Sequence, residues 1–428
     1  MQRNINSFTV AALLILVLLI GVSISYAAAG GLDTTFGTGG KVQTAFSFNS
    51  IPTRALLQPD GKIVVVGSFG VISTLATEAF GLVRYLPSGK LDTTFGKKGS
   101  TFAAITNFIN MANSAALQSD GKILVAGAIS TADGTTSEFG LMRFNTNGTL
   151  DSTFGTGGKV TTNFVGVQLG GVYNPATAVV IQPDGRILVG GSASECAKCG
   201  TDTALARYNA NGSLDSTFGT AGTVRVHTIL NAPSALAILS NGDFVGVNGS
   251  NILQFSPQGT LRASVTSGTV SAASSGATDL FLSNGSYYFA GSGPGQFRHE
   301  SDLHVFRFTP TGTADSTFNN APFMFSPAAH ASSSDYAQGA AIQADGKLLV
   351  AGGSQATNEA GLARVNTNGS LDTAFGTGGV VNTAFPSTGF SQNTSVLIQA
   401  DGKIVSVGQG LNNSTGIATI VLARFLGQ

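Results

Sequence analysis

The stretch Ala116-Leu117-Gln118-Ser119-Asp120-Gly121-Lys122-Ile123-Leu124-Val125-Ala126-Gly127 sets an apolar run on each side of an Asp-Gly pair. Asp-Gly and Asn-Gly favour the positive backbone angles of a type I′ turn, so the stretch predicts a β-hairpin. The same arrangement returns at Asp60-Gly61, Asp184-Gly185, Asn241-Gly242, Asn284-Gly285, Asp345-Gly346 and Asp401-Gly402. Spacings of 43 to 64 residues make each hairpin part of a larger repeated unit.

Working outward, the second unit continues through Phe139 to Asn145, a short turn, and Thr149-Leu150-Asp151-Ser152-Thr153-Phe154-Gly155. Each unit therefore predicts four extended segments. Segment a ends at the Asp-Gly turn and b follows it. Segment c carries Gly-Leu-Met-Arg-Phe, and d carries Leu-Asp-Ser-Thr-Phe-Gly with an extension through Gly158-Lys159-Val160. Segment b is apolar throughout, as in Ile63 to Val66, Ile123 to Ala126 and Leu348 to Ala351. A strand without a polar face must be covered on both faces. Four short strands, repeated, with every sheet covered on both sides, describe an all-β β-propeller of seven four-stranded blades. A parallel β-solenoid is the rival, but its repeats are shorter and lack a hairpin at a fixed place.

The ends of the repeat array support a closed ring. Leu32-Asp33-Thr34-Thr35-Phe36-Gly37 is a d segment with no a, b or c before it, and Leu422-Ala423-Arg424-Phe425 is a c segment with no d after it. Together they complete one blade, and closure removes the open edges on which strands aggregate. In five units the c arginine precedes the d aspartate by eight residues: Arg84 and Asp92, Arg143 and Asp151, Arg207 and Asp215, Arg307 and Asp315, Arg364 and Asp372. Folding each segment at its turn sets these charges opposite one another, as structural ion pairs. Arg424 has no aspartate downstream, so the ring predicts Asp33 as its partner. The fourth unit carries Gln254 and Arg262 at those positions.

These runs, with Leu371-Asp372-Thr373-Ala374-Phe375-Gly376, resemble the delta-60 repeat, a bacterial β-propeller repeat family, and the unit layout is similar to that of NHL propellers. The resemblance covers nearly all of residues 31–428. It implies the propeller and brings no catalytic motif with it. Units four and five depart from it: Leu261-Arg262-Ala263-Ser264 replaces the Leu-Asp motif and Asn248 stands where others have the strand-b glycine. Six and eight blades stay open as alternatives to seven.

Composition bounds the rest. The 428 residues are 42% hydrophobic and 10% charged, with 57 glycines and no tryptophan, which suits a large turn-rich domain. Twenty-two basic residues balance 22 acidic ones, so nothing draws the chain to phosphate backbones and nucleic acid is not an expected partner. Residues 1–29 are expected to be a signal peptide: Arg3 precedes an uncharged apolar run from Phe8 to Ile24, with small residues at Ala27-Ala28-Ala29. An uncleaved anchor is the alternative. The mature chain, 30–428, is then one propeller domain without a membrane span, exported to the periplasm, cell surface or medium, and monomeric. Cys196 and Cys199 could close a small disulfide loop there, or remain thiols.

No cofactor, metal or catalytic residue is expected. His299-Glu300-Ser301-Asp302-Leu303-His304 has one residue too many for the zinc-protease helix motif and is expected in a loop. Aspartates 60, 120, 184, 345 and 401 serve turns. Glycine-rich Phe36 to Gly40 and its copies lack the helix and the Lys-Ser/Thr of a phosphate loop. The a-to-b and c-to-d turns are short and alike, whereas Ser68 to Ala79, Ser130 to Glu138, Ala193 to Thr203, Gly291 to Asp302, Asn163 to Pro175 and Asn320 to Asp335 are long and unlike. The long connections share one end of the ring, where a protein or glycan would be recognised. The expected function is an exported, non-enzymatic binding or adhesion module. A purely structural envelope domain and a propeller lyase or hydrolase are the alternatives.

Overall fold

The computed structural model describes residues 28–428 except 71–77, 106–107, 132–136, 165–173, 195–200, 228–232, 249–250, 267–276, 284, 295–300, 310–312, 320 and 326–333. Seven antiparallel sheets span 49–103, 108–162, 176–226, 235–266, 277–308, 335–383 and, for the seventh, 388–425 completed by Lys41–Thr44. Blade 1 is typical, with strands a to d at Asn49–Leu57, Ile63–Gly70, Ala79–Tyr85 and Ser100–Ala103. Consecutive a strands touch one another all the way round, including the seventh against the first, so they line the axis. The fold is a seven-bladed β-propeller.

The closing strand pairs Lys41 with Ala423 and Thr44 with Ile420, in register with the last strand, Ala418–Phe425. Blade 5 differs from the others. Its sheet has three strands, and its fourth is reduced to a single bridge between Leu303 and Phe323.

Alternation along the apolar b strands explains why the ring holds. Ile123 and Val125 pack into the interface with blade 1, while Leu124 and Ala126 pack into that with blade 3. The core is accordingly divided into seven clusters, one per blade interface. A b strand with a polar face would dry one interface and flood the other.

Two expectations about local structure are corrected. Six of the hairpin turns are not two-residue type I′, whereas in blade 5 Ser283 pairs directly with Ser286. Gly61 N–H donates to the Gln58 carbonyl at 2.9 Å and Gln58 N–H to the Lys62 carbonyl at 2.8 Å. Gly61 has φ 80° while Asp60 stays out of the positive region. That is a three-residue loop, a type I turn closed by a glycine bulge, and Pro59 suits its first position. The Asp60 carboxylate accepts from Lys62 N–H at 3.2 Å, as sequence reasoning assigned to these aspartates. Strand d is the second correction: Leu-Asp-Ser-Thr-Phe-Gly makes only isolated bridges, Leu150 to Phe144 and Gly155 to Lys159, and the strand proper is Lys159–Thr162. The motif does not alternate in polarity, so it folds as a turn.

Candidate functional site

The c-strand arginines and d-segment aspartates stand together in six places. Arginine Nε to carboxylate Oδ2 measures 2.9 Å for Arg84–Asp92, 2.7 Å for Arg143–Asp151, 2.8 Å for Arg207–Asp215, 2.8 Å for Arg307–Asp315, 2.7 Å for Arg364–Asp372 and 2.8 Å for Arg424–Asp33. Each guanidinium also lies over the motif phenylalanine, 4.4 Å from the Phe95 centroid for Arg84 and 4.7 Å from Phe36 for Arg424. One Nη then donates to a carbonyl in the next blade's c–d turn: Arg84 to Thr146 at 2.6 Å, Arg424 to Pro87 at 2.6 Å, Arg143 to Ala210. Each unit is a latch between blades. Burial alone would raise the Asp33 carboxyl, but hydrogen bonds from Thr35 and Lys403 and the Arg424 charge outweigh it and hold it at about 2. Asp92, Asp151, Asp215, Asp315 and Asp372 are lowered by similar partners. Carboxylates so committed are poor acids or bases for catalysis near neutral pH.

Blade 4 keeps a latch with its charges exchanged. In blades 2, 3, 6 and 7 the residue after the Asp-Gly turn is basic and reaches the d aspartate, as Lys122 does to Asp151 at 3.0 Å. In blade 4 that residue is Asp243, which takes Arg262 at 3.3 Å and Gln254 at 3.3 Å. Sequence comparison of units registers the loss of the Arg-Asp pair but not this exchange, which needs the third position.

On the long-loop end, most of the six connections, with Cys196, Cys199, His299 and Glu300, lie outside the described residues, as does the expected signal sequence before residue 28. The described rim carries an aromatic cluster at the seam of blades 7 and 1. Phe46 stacks on Phe48 at 5.3 Å, and both meet Phe102 edge-on at 6.1 and 5.5 Å. Phe69 backs the cluster, 5.5 Å from Phe102, which is 42% exposed. Nearer the axis, Tyr336, Ile51 and Met111 are exposed on the a strands of blades 6, 1 and 2. Asp302 and His304 are not in a loop as expected. They are buried in strand c of blade 5, Ser301–Phe308, whose apolar alternation with Leu303 and Val305 overrides the polar look of the segment. Among the described residues no group of three or more His, Cys, Asp or Glu stands close enough to hold a metal.

The axis itself holds a cavity of about 610 Å³. It lies where the a strands bulge, at Thr53, Asn113, Thr177 and Gln338, each the extra residue against strand b. Across it, Arg54 of blade 1 donates both Nη atoms to Asp279 of blade 5, at 3.1 Å each. Asp279 draws the Arg54 guanidinium further into its charged form, and also accepts from Ala340 N–H at 3.2 Å. Sequence reasoning missed this pair. It occurs once, between residues 225 apart, and neither repetition nor spacing marks it.

Four stretches, residues 58–95, 118–154, 182–218 and 343–375, match the family described as "Domain of unknown function (DUF5122) beta-propeller". Each runs from an a–b turn through strands b and c to the motif phenylalanine. No curated protein matches the sequence. Solved structures of similar shape include the WD40 β-propeller domain of Doa1, at 10% identity and a TM-score of 0.48, covering 91% of this chain and 98% of that one. A protein of unknown function from Dyadobacter fermentans DSM 18053 follows at 11% and 0.45, covering 90% and 99%. The polysaccharide lyase Uly1 stands at 9% and 0.44, covering 94% of each chain. The chain is a repeat β-propeller, with four of its seven blades similar in sequence to the DUF5122 repeat.

Proposed function

We propose that this chain is an exported binding module, of the delta-60 kind its repeats resemble, that engages a protein or glycan at the long-loop end. The observation that carries this is the cluster of Phe46, Phe48, Phe69 and Phe102, which leaves Phe102 42% exposed on the rim. An aromatic ring gains more by burial than almost any other side chain, and packing of Phe69, Phe46 and Phe48 on the core between blades 7 and 1 gives no reason to leave Phe102 open to solvent beside them. The short-turn end, by contrast, is committed to latches. The role is non-catalytic and the chain acts as a monomer, since the ring leaves its carboxylates engaged and closes its own edges.

The test compares residues 30–428 with a Phe46→Ser/Phe102→Ser variant as bait on native envelope fractions. The reading expects specific capture by the parent and its loss in a variant whose melting temperature is within a few degrees. Equal capture by both baits would remove the rim from consideration. Turnover of a polysaccharide panel by the pure parent would replace binding with catalysis.

A further inference from the structure

We propose that the axial cavity is a saccharide site, seating one neutral sugar ring over the Arg54–Asp279 pair with Tyr336 at its lip. The argument starts from register. Facing Val66, Ala126, Gly190, Val247, Ala290, Ala351 and Val407 of the b strands, the a strands carry Arg54, Ser114, Ala178, Ala235, Asp279, Gly339 and Ser395. Five of the seven equivalent positions are small and uncharged. The two that are not form one ion pair across the axis, with side chains 33% and 10% exposed to the cavity.

A buried pair of this kind is weak evidence for stability, since apolar residues of similar volume commonly do as well. Five small residues already show what the ring needs for packing. The pair is therefore better explained by what it offers a ligand.

Its net charge is zero, which selects the ligand class. A carboxylate or an ammonium group would satisfy one partner and leave the other uncompensated in a confined space. A hydroxyl both donates and accepts, so neighbouring hydroxyls on a sugar can donate to Asp279 and accept from Arg54 without parting them. The remaining wall suits the same chemistry. Asn113, Thr177 and Gln338 donate to the Ala176 carbonyl, the Pro233 carbonyl and Gln392, which fixes them at the bulges and leaves their oxygens as acceptors, and Tyr336 adds an aromatic face, 36% exposed and three residues nearer the long-loop end than the ring position of its own strand. A volume of about 610 Å³ falls within the range of small-molecule sites. This site is separate from the phenylalanine rim and stands or falls without it.

Saturation-transfer NMR and thermal shift on residues 30–428 with a panel of methyl pyranosides at about 10 mM test the assignment. At least one pyranoside should bind and raise the melting temperature. Tyr336→Ala and Asn113→Ala should each weaken it about tenfold, the loss of one good contact. Phe102→Ser should leave it unchanged. Should Asn113→Ala fail to fold, Tyr336→Phe against Tyr336→Ala separates the ring face from the hydroxyl. The site is refuted if no pyranoside binds, if sodium acetate or methylammonium binds more tightly than any sugar, or if Phe102→Ser rather than Tyr336→Ala abolishes binding.

Discussion

Each latch aspartate uses its two oxygens for separate duties. In Asp151, Oδ1 accepts from the Thr153 N–H and hydroxyl at 3.1 and 2.7 Å, fixing the turn, while Oδ2 takes Arg143 and Lys122. Blade 4 meets the same demand with opposite signs, which makes a specific prediction. Asp243→Lys should set two cations together at the Arg262 position and cost about 1 kcal/mol, a modest figure because Arg262 is 55% exposed. The double variant Asp243→Lys/Arg262→Asp installs the lysine–aspartate contact of blades 2, 6 and 7 and should recover most of the loss, a coupling that a urea-unfolding cycle measures. If the double variant is as unstable as the sum of its parts, the exchange is not a latch. Residues of this kind were legible where they repeat at short range. Eight residues separate Arg143 from Asp151 and a turn folds between them, so spacing alone pairs them. Arg54 and Asp279 sit in different blades with no copies, and nothing local connects them.

Elements reveal a dependence between glycine and backbone that the repeat displays without explaining. Six a strands carry a bulge, and the b strand opposite has glycine at the matching position in each of those blades, Gly67, Gly127, Gly191, Gly291, Gly352 and Gly408. A Cβ on Gly127 would lie 1.9 Å from the Met111 carbonyl oxygen, and one on Gly352 1.7 Å from that of Tyr336. Blade 4 has Asn248 there, and its described a–b pairing stops one residue short of it, at Ala235 opposite Val247. The bulge thus pushes a carbonyl into the space that a side chain would fill. Gly127→Val should force blade 2 to give up its bulge or its pairing, at a cost of about 3 kcal/mol or more in thermal unfolding. Asn248→Gly, at a position where the chain already carries a side chain, should stay within about 1 kcal/mol of the parent. Equal effects at the two positions would contradict the dependence. The hairpins were legible as hairpins because a backbone turn with positive φ calls for glycine, and Asp-Gly or Asn-Gly between apolar runs supplies it. Their loop length was not, since a two-residue and a three-residue loop share the same Asp-Gly signature and differ only in where φ turns positive.

For the whole molecule, the ring has seven interfaces and six arginine–aspartate latches, and it fails when enough of these open at once. Asp33 has a folded pKa of about 2, below the ordinary aspartate value near 4. Such a group adds its full stability at neutral pH and gives it up as pH falls from about 4 towards 2. The other five latch aspartates are shifted in the same direction, so the melting temperature should hold from about pH 7 to 5 and then drop steeply below 4. Replacing Arg424 with Ala should cost about 3 kcal/mol at neutral pH, because Asp33 stays buried with a weaker partner in Lys403. The closing strand permits a sharper test, since the Gly30 N–H already donates to the Leu426 carbonyl at 2.8 Å and the first residues lie beside the last. Deleting 30–44 bares the edge of Ala418–Phe425 and removes Phe36 and Val42 from the interface of blades 7 and 1, so that protein should aggregate or lose cooperative unfolding. Moving 30–44 to follow Gln428 supplies the same strand through a short covalent link. That permutant should unfold in one transition within about 1 kcal/mol of the parent. If the deletion melts as the parent does, the ring is held by its other six interfaces and the seam between its ends is dispensable. If only the permutant recovers the transition, the seventh interface is an equal part of one cooperative unit.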